Sequence, residues 1–429
     1  MKKKYRIILY TSIFLLCVVA SIILVVKKSN SVYEEESKPK VVKHKSMLSM
    51  NLEQTAGSGD YKTVTQSSWP TEGYKFNAEL SKCENGSTLS WDDTKKAVIV
   101  SGNLSDKCYV YFDIYQPTLA EYIKSQYTGT QGENNIYYHD SDLANGAGDN
   151  SYRYAGANPN NFVCFGTTES PCPTDNLYRI IGVFGENYHG VTGKQLVKLI
   201  KYDYMTTDEL GTDGDYSQTY KEWGMDSTYK GTYGDGERIG VYYWNYKATG
   251  SATNTWSTSL LNKTNLNTNF INNIGTTWAN KIATVTWKVG GNTWANIGTK
   301  TSSVAYTNEI TNPVTTNTTD NATTYSAKIG LMYVSDYGFA ASPDAWTLTM
   351  SSYNNTTATN NNWMYMGLYE WTISRDADRS SGAFIVGSDG YVSGFSVDGD
   401  FGVRASFNLE SSVSYVSGSG SMSDPIVIN

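Results

Sequence analysis

The chain has 429 residues, with 34 Lys and Arg against 41 Asp and Glu and a net charge of −7. Six of the basic residues (Lys2, Lys3, Lys4, Arg6, Lys27 and Lys28) fall in the first 28 positions, so the remainder, 28 basic against 41 acidic residues, is near −13. That balance excludes nucleic acid and anionic membrane surfaces as partners of the folded portion, and the length beyond residue 28 leaves room for two or three domains of about 100–200 residues each.

Residues 7–26 form an uncharged apolar run between the basic residues. About 20 residues at 1.5 Å each span a hydrocarbon core of ~30 Å, and a basic N-terminal flank is retained on the cytoplasmic side. The expectation is a basic tip and transmembrane signal-anchor over residues 1–28, the lipid bilayer as its partner, and everything later outside the cell. A cleaved signal peptide is the alternative. Its apolar region usually has about 7–15 residues and ends in small side chains, whereas this run ends Ile-Leu-Val-Val-Lys-Lys. Residues 29–60 carry Glu34, Glu35 and Glu36, then Lys38, Lys40, Lys43 and Lys45, and read as a disordered tether.

Residues 61–113 read as a small β-sandwich-like module with strands near 74–80, 87–91, 97–100 and 109–112. Its core is too small to be secure alone, and a Cys83–Cys108 bridge would add roughly 2–4 kcal/mol. Five cysteines are present: Cys17 in the apolar run, and two sequence-local couples, Cys83 with Cys108 and Cys164 with Cys172. Two disulfides in an oxidising compartment follow, although four cysteines also permit other pairings. A four-thiolate metal site lacks any Cys-x2-Cys unit. Residues 114–160 read as a short amphipathic helix (118–127) and an irregular Gly- and Asn-rich connector. AT-rich codon usage accounts for much of the Asn.

From residue 161 to 429 a larger domain is expected. Strands are predicted at 161–165, 177–184 and 195–202, the last two as an antiparallel pair. Helical periodicity occupies 256–282, with Ser257 or Thr258 as a cap. Strands return at 283–287 and 327–334, then as hairpins around Ser388-Asp-Gly and at 403–409.

Catalytic signatures are missing. Three histidines (His44, His139 and His189) lack a second ligand at helical spacing, and no nucleophile elbow, phosphate loop or dinucleotide fingerprint occurs. Glu370, beside Trp371, is the best single candidate acid for glycan hydrolysis. The pairs Asp398/Asp400 and Asp213/Asp215 suit turns, with calcium a weaker alternative and catalysis weaker still, so no metal and no cofactor are assigned. Trp363, Tyr365, Tyr369 and Trp371 share strand parity, and Trp363 and Trp371 read as core. Tyr391, Phe395 and Phe401, beside Gly, Ser or Asp, read as exposed anchors for a partner or a sugar ring.

Leu177-Tyr-Arg-Ile-Ile-Gly-Val-Phe, Trp256-Ser-Thr-Ser-Leu-Leu-Asn, Ile329-Gly-Leu-Met-Tyr-Val-Ser-Asp, Trp371-Thr-Ile-Ser-Arg and Gly402-Val-Arg-Ala-Ser-Phe-Asn-Leu follow one order along the chain. Over residues 161–429 they resemble a bacterial domain-of-unknown-function family from surface and secreted proteins of low-GC Gram-positive gut bacteria. That family is similar to the C-type-lectin-like fold of the formylglycine-generating (sulfatase-modifying) enzymes. Glu370 stands where the family often has a second tryptophan, Ile373 near its arginine, and Ala405 where it has proline. No cysteine follows Cys172, so the oxidase activity is not implied. The resemblance implies an α+β, C-type-lectin-like C-terminal domain. Its ligand face would be Arg375, Asp376, Asp378, Arg379, Tyr391, Phe395, Asp398, Asp400 and Phe401. The resulting expectation is a membrane-anchored, extracellular recognition or adhesion protein that binds a glycan or protein ligand without catalysis. An envelope glycan hydrolase and a purely structural envelope protein are the alternatives.

Overall fold

The computed structural model describes residues 48–65, 68–70, 73–220, 229–233, 238–313 and 323–429. The chain divides after Gln116 into two compact units.

In the first unit, strands β1 (Leu48–Glu53), β2 (Tyr61–Val64), β3 (Tyr74–Cys83) and β6 (Cys108–Ile114) form one sheet in the order β2-β1-β6-β3. Strands β4 (Thr88–Asp92) and β5 (Ala97–Ser101) form a separate hairpin. β1 runs parallel to β6, and the other pairs are antiparallel. β1 lies in the stretch read as tether. Its side chains alternate, and Met50 and Leu52 join Val110 and Phe112 in the core. Phe112 is the centre of that core, with the rings of Trp91, Trp69 and Phe76 at 5.6, 5.8 and 5.9 Å. Cys83 and Cys108 face each other in the β3–β6 register and are bonded.

The second unit opens with α1 (Leu119–Ser125), started by a Thr118/Glu121 capping box. Its main sheet runs β16-β21-β11-β10-β8-β7, with β9 also on β10. The strands are β7 (Ile136–His139), β8 (Ser151–Tyr154), β9 (Phe162–Cys164), β10 (Leu177–Phe184), β11 (Leu196–Lys201), β16 (Ile329–Gly330) and β21 (Ser406–Asn408). Every pairing among them is antiparallel. β10 and β11 are buried along their whole length, which is why their sequences are near-continuous apolar runs. β8 approaches β10 so closely that a Cβ on Gly182 would sit 2.3 Å from the Tyr152 carbonyl oxygen. β7 and β8 come from the stretch expected to be irregular. Cys164 and Cys172 are bonded.

Besides the two-stranded ribbon of Tyr415–Ser417 with Val427–Ile428, three smaller sheets are present among the described residues of this unit. They are β12 (Tyr216–Thr219)-β13 (Gly240–Tyr243)-β20 (Asp400–Phe401), β14 (Val285–Lys288)-β15 (Thr324–Ala327), and β17 (Glu370–Arg375)-β18 (Gly382–Val386)-β19 (Val392–Ser396). A helical stretch over Leu261–Phe270 continues into Ile271–Ala279 and is broken at Gly275, whose φ is 75°. Its asparagines serve the backbone. Asn265 donates to the carbonyls of Leu210 and Asp213, Asn269 to that of Leu210, and Asn267 both donates to and accepts from Ile329. These side chains stand in for missing backbone partners, a use that codon bias does not explain.

Among the described residues no helix is long and apolar enough to cross a membrane. The longest described helical run, over residues 261–279, is interrupted and rich in Asn and Thr. Residues 7–26, expected to span the bilayer, lie outside the described residues. The expected architecture is corrected accordingly. The transmembrane helix is not carried forward, nor are the single-pass anchorage, the bilayer as partner, the cell-membrane location with an extracellular C-terminal domain, or the membrane-anchored recognition protein built on them. What the described residues support is a mixed α+β chain.

Candidate functional site

The nine residues expected on one ligand face occupy three places. Arg375, Asp376, Asp378 and Arg379 belong to the β17–β18 hairpin. Arg375 is buried, and a Cβ on Gly290 would lie 3.2 Å from its Nε. Burial lowers its pKa to about 10. Asp376 is also buried, and its pKa is raised to about 7 by burial and by its hydrogen bond with Asp378. The exposed Arg379 guanidinium reaches within 3.7 Å of Asp376 and lies 5.4 Å from the ring centre of Trp294. Asn254 ties the hairpin loop together by donating to the carbonyls of Asp376, Arg379 and Gly382.

The second place is an aromatic ridge. Phe401 is buried rather than exposed, enclosed by Trp371 and Phe395, each at 4.9 Å, and by Tyr369 at 5.5 Å. Tyr391 continues the ridge through a hydrogen bond with Tyr369, and its pKa is raised to about 12, chiefly by burial. Phe395 is 49% exposed. A Cβ on Gly399 would fall 2.6 Å from Phe395 and 3.0 Å from Phe401, so the turn before β20 needs glycine for the two rings to meet.

The third place lies across β20. Successive side chains of a strand point to opposite faces, so Asp400 faces away from Phe401. Asp400 pairs with Tyr243 in the β13–β20 register. Its Oδ2 accepts from Ser217 Oγ at 2.9 Å and from Gln218 Nε2 at 3.2 Å, and Ser217 Oγ also contacts the Tyr243 hydroxyl at 3.2 Å. The Tyr243 ring stacks on Tyr246, with centroids 4.6 Å apart and planes 23° apart. Tyr246 is 48% exposed, Gln218 is exposed, and Ser217, Tyr243 and Asp400 are partly exposed. The patch therefore combines a flat aromatic surface, a carboxylate, a hydroxyl pair and an amide. Asp398 is exposed in the turn that leads into β20.

Ser217, Gln218, Tyr243 and Tyr246 were not singled out in the sequence. They adjoin or lie in the run Val241-Tyr-Tyr-Trp-Asn-Tyr246, in which Val241, Tyr242, Trp244 and Asn245 are buried, Tyr243 is partly exposed and Tyr246 is exposed, a pattern with no simple period.

The other candidates resolve into structural parts. Glu370 is buried and bidentate to Arg404, with Oε1 2.7 Å from Nε and Oε2 2.9 Å from Nη2. Burial raises its pKa and the Arg404 charge opposes that shift. Such an acid is enclosed and fully engaged, so the hydrolase reading loses its candidate. Asp215 is buried, and its carboxylate accepts from the backbone N–H of Tyr246, Leu260 and Leu261. It thereby caps the start of the helical stretch. Asp213 Oδ1 accepts from Asn269. Among the described residues no group of His, Cys, Asp and Glu is placed to hold a metal ion. His139 is buried between Phe339 and Trp346, and burial holds its pKa well below the usual range. No protein-family model, no curated protein and no solved structure matches this chain.

Proposed function

We propose that the second unit is a binding module for a polyhydroxylated ligand, a saccharide, held on the Tyr243–Tyr246–Asp400 patch. The reading carries no claim about a membrane or a cellular location. The observation behind it is the Asp400 carboxylate, which lines up Ser217 and Gln218 beside an exposed stacked tyrosine pair. The C–H face of a pyranose packs on an aromatic ring, and its hydroxyls need acceptors and donors at the rim. A carboxylate and a primary amide supply both. Phe395, half exposed on the far side of the same turn, offers a second apolar surface to an extended chain. The family resemblance read from the sequence belongs to the same proposal.

The test is retention of the purified full chain on an array of soluble and immobilised oligosaccharides. Wild type is expected to retain one saccharide class. Asp400→Asn, which keeps the shape and removes the charge, is expected to lose that retention with its melting temperature unchanged. Absence of retention for wild type would overturn the proposal, as would equal retention by Asp400→Asn.

A further inference from the structure

A second chemistry sits in the interior of this unit, away from the patch. Lys198, in the middle of β11, has no exposed surface and points its amine at Asp336, the third residue of the helix Val334–Ala340. Lys198 Nζ lies 2.7 Å from Asp336 Oδ2 and 2.7 Å from the Tyr188 hydroxyl, which in turn donates to Asp336 Oδ1 at 2.6 Å. The backbone N–H of Tyr333 donates to Oδ2 at 3.0 Å. Arg153 Nη1 stands 3.7 Å from Oδ1, and its Nη2 is paired with Asp149 at 2.8 Å. The rings of Tyr333, Trp287 and Tyr188 enclose the amine at 4.1, 4.9 and 4.9 Å. The carboxyl of Glu309 lies beneath, accepting from Val334 N, Ser335 N and Ser374 Oγ.

We propose that Lys198 and Asp336 condense into an intramolecular amide crosslink, with Tyr188 as the group that carries the proton between them. The bond that forms joins Nζ to Cγ of Asp336. The bond that breaks is Cγ–Oδ1. Of the three protons on the ammonium, one stays on the amide nitrogen, and two leave with Oδ1 as water, passed through the Tyr188 hydroxyl, which touches both partners. Oδ2 becomes the amide oxygen and keeps its hydrogen bond from Tyr333 N–H, so the start of the helix stays capped. No oxidant, reductant or co-reactant is needed.

Three features favour reaction over a lasting ion pair. The reactants are held in contact by separate elements, the proximity for which effective molarities of about 10⁵–10⁸ M are known. The aromatic cage excludes the water that would reverse the step. Burial lowers the lysine pKa to about 8, which supplies free amine near neutrality. Charge also closes. Before the step two cations, Lys198 and Arg153, face the carboxylates of Asp336 and Asp149, while the neighbouring Glu309 carboxyl, its pKa raised by burial, is unchanged by the step. Afterwards Arg153 and Asp149 remain as a pair, and one buried ion pair with its desolvation cost is gone.

The experiment is peptide mapping by mass spectrometry of the purified full chain, after reduction of its disulfides. The expected result is a branched peptide that joins the Lys198 and Asp336 segments, one water lighter than their sum, with no tryptic cleavage after Lys198. Lys198→Arg keeps a cation for Asp336 but cannot condense, and is expected to release a linear Asp336 peptide of full mass. Tyr188→Phe is expected to raise the linear fraction at least tenfold. Recovery of both wild-type segments as linear peptides of full mass would overturn the crosslink, whether or not either variant folds. A fully crosslinked Tyr188→Phe would overturn the role given to the hydroxyl.

Discussion

Replacing Glu370 by glutamine separates a structural acid from a catalytic one. Both oxygens of Glu370 are engaged by Arg404, and both side chains have about one-hundredth of their surface exposed. Glutamine keeps one acceptor and turns an NH₂ toward the guanidinium, so Arg404 is left as a buried cation without its counter-charge. Removing one partner of such a pair costs about 3–5 kcal/mol. Whole-domain stabilities are about 5–15 kcal/mol, so the variant gives up a large share of what the second unit has. At about 2.1 cal/mol/K of unfolding entropy per residue, a unit of this length loses about 1.5 °C per kcal/mol, which places the drop in melting temperature at about 5–8 °C. The assay is urea unfolding followed by tryptophan fluorescence, because Trp371 adjoins Glu370. The midpoint should fall with an unchanged slope. The double variant Glu370→Leu/Arg404→Met, which removes both charges, should recover most of the loss. A single-variant cost below about 1 kcal/mol would refute the argument, since it would mean that water reaches the pair.

Other outcomes follow from particular contacts. Asp376 has its pKa raised from 3.8 to about 7. Its contribution to stability is complete below pH ~4 and is lost as pH rises through about 7, with Asp378 and Arg379 as the charges facing it. Thermal melts of Asp376→Asn across pH 4–8 should lack that loss, and a wild-type curve flat over the interval would contradict the assignment. Asn267→Leu should cost about 1–3 kcal/mol, because the N–H and carbonyl of Ile329 lose their partner in the interior. Chemical denaturation checks this, and a neutral result would mean that the asparagines are incidental. In the first unit, Cys83→Ser with Cys108→Ser opens a loop with a sequence separation of 25, and should lower stability by roughly 3–4 kcal/mol. Proteolytic susceptibility of residues 48–116 reads the change.

The sequence made some of this legible and hid the rest for identifiable reasons. β10 and β11 are readable because strands buried on both faces are mostly apolar, here interrupted only by Arg179, Lys198 and Lys201. Nothing local to Leu-Val-Lys-Leu-Ile-Lys marks Lys198 as a buried amine, because its partner Asp336 lies 138 residues away. β1 escaped notice because its pairing with β6 is parallel and distant, and only Met50 and Leu52 mark its inner face. β7 and β8 were obscured by the Gly- and Asn-rich loop between them. The nine residues expected on one ligand face are distributed over three places. Asp400 and Phe401 are neighbours in sequence and so lie on opposite sides of β20, while Arg375 and Asp376 are drawn into the hairpin base. The patch that replaces it unites residues 217, 218, 243, 246 and 400, which no local pattern connects. The run at residues 7–26 carries a clear hydropathy signal but lies outside the described residues, among which no helix is long and apolar enough to cross a membrane.

Saccharide binding by the Tyr243–Tyr246–Asp400 patch is open to direct measurement. The experiment is calorimetric titration of the array-selected oligosaccharide into wild-type full chain and into Tyr246→Ala. Saturable one-site binding is expected for wild type, and affinity at least ~10-fold weaker for the variant, equivalent to about 1.4 kcal/mol. Equal affinities for the two proteins, or no heat with wild type, would contradict it.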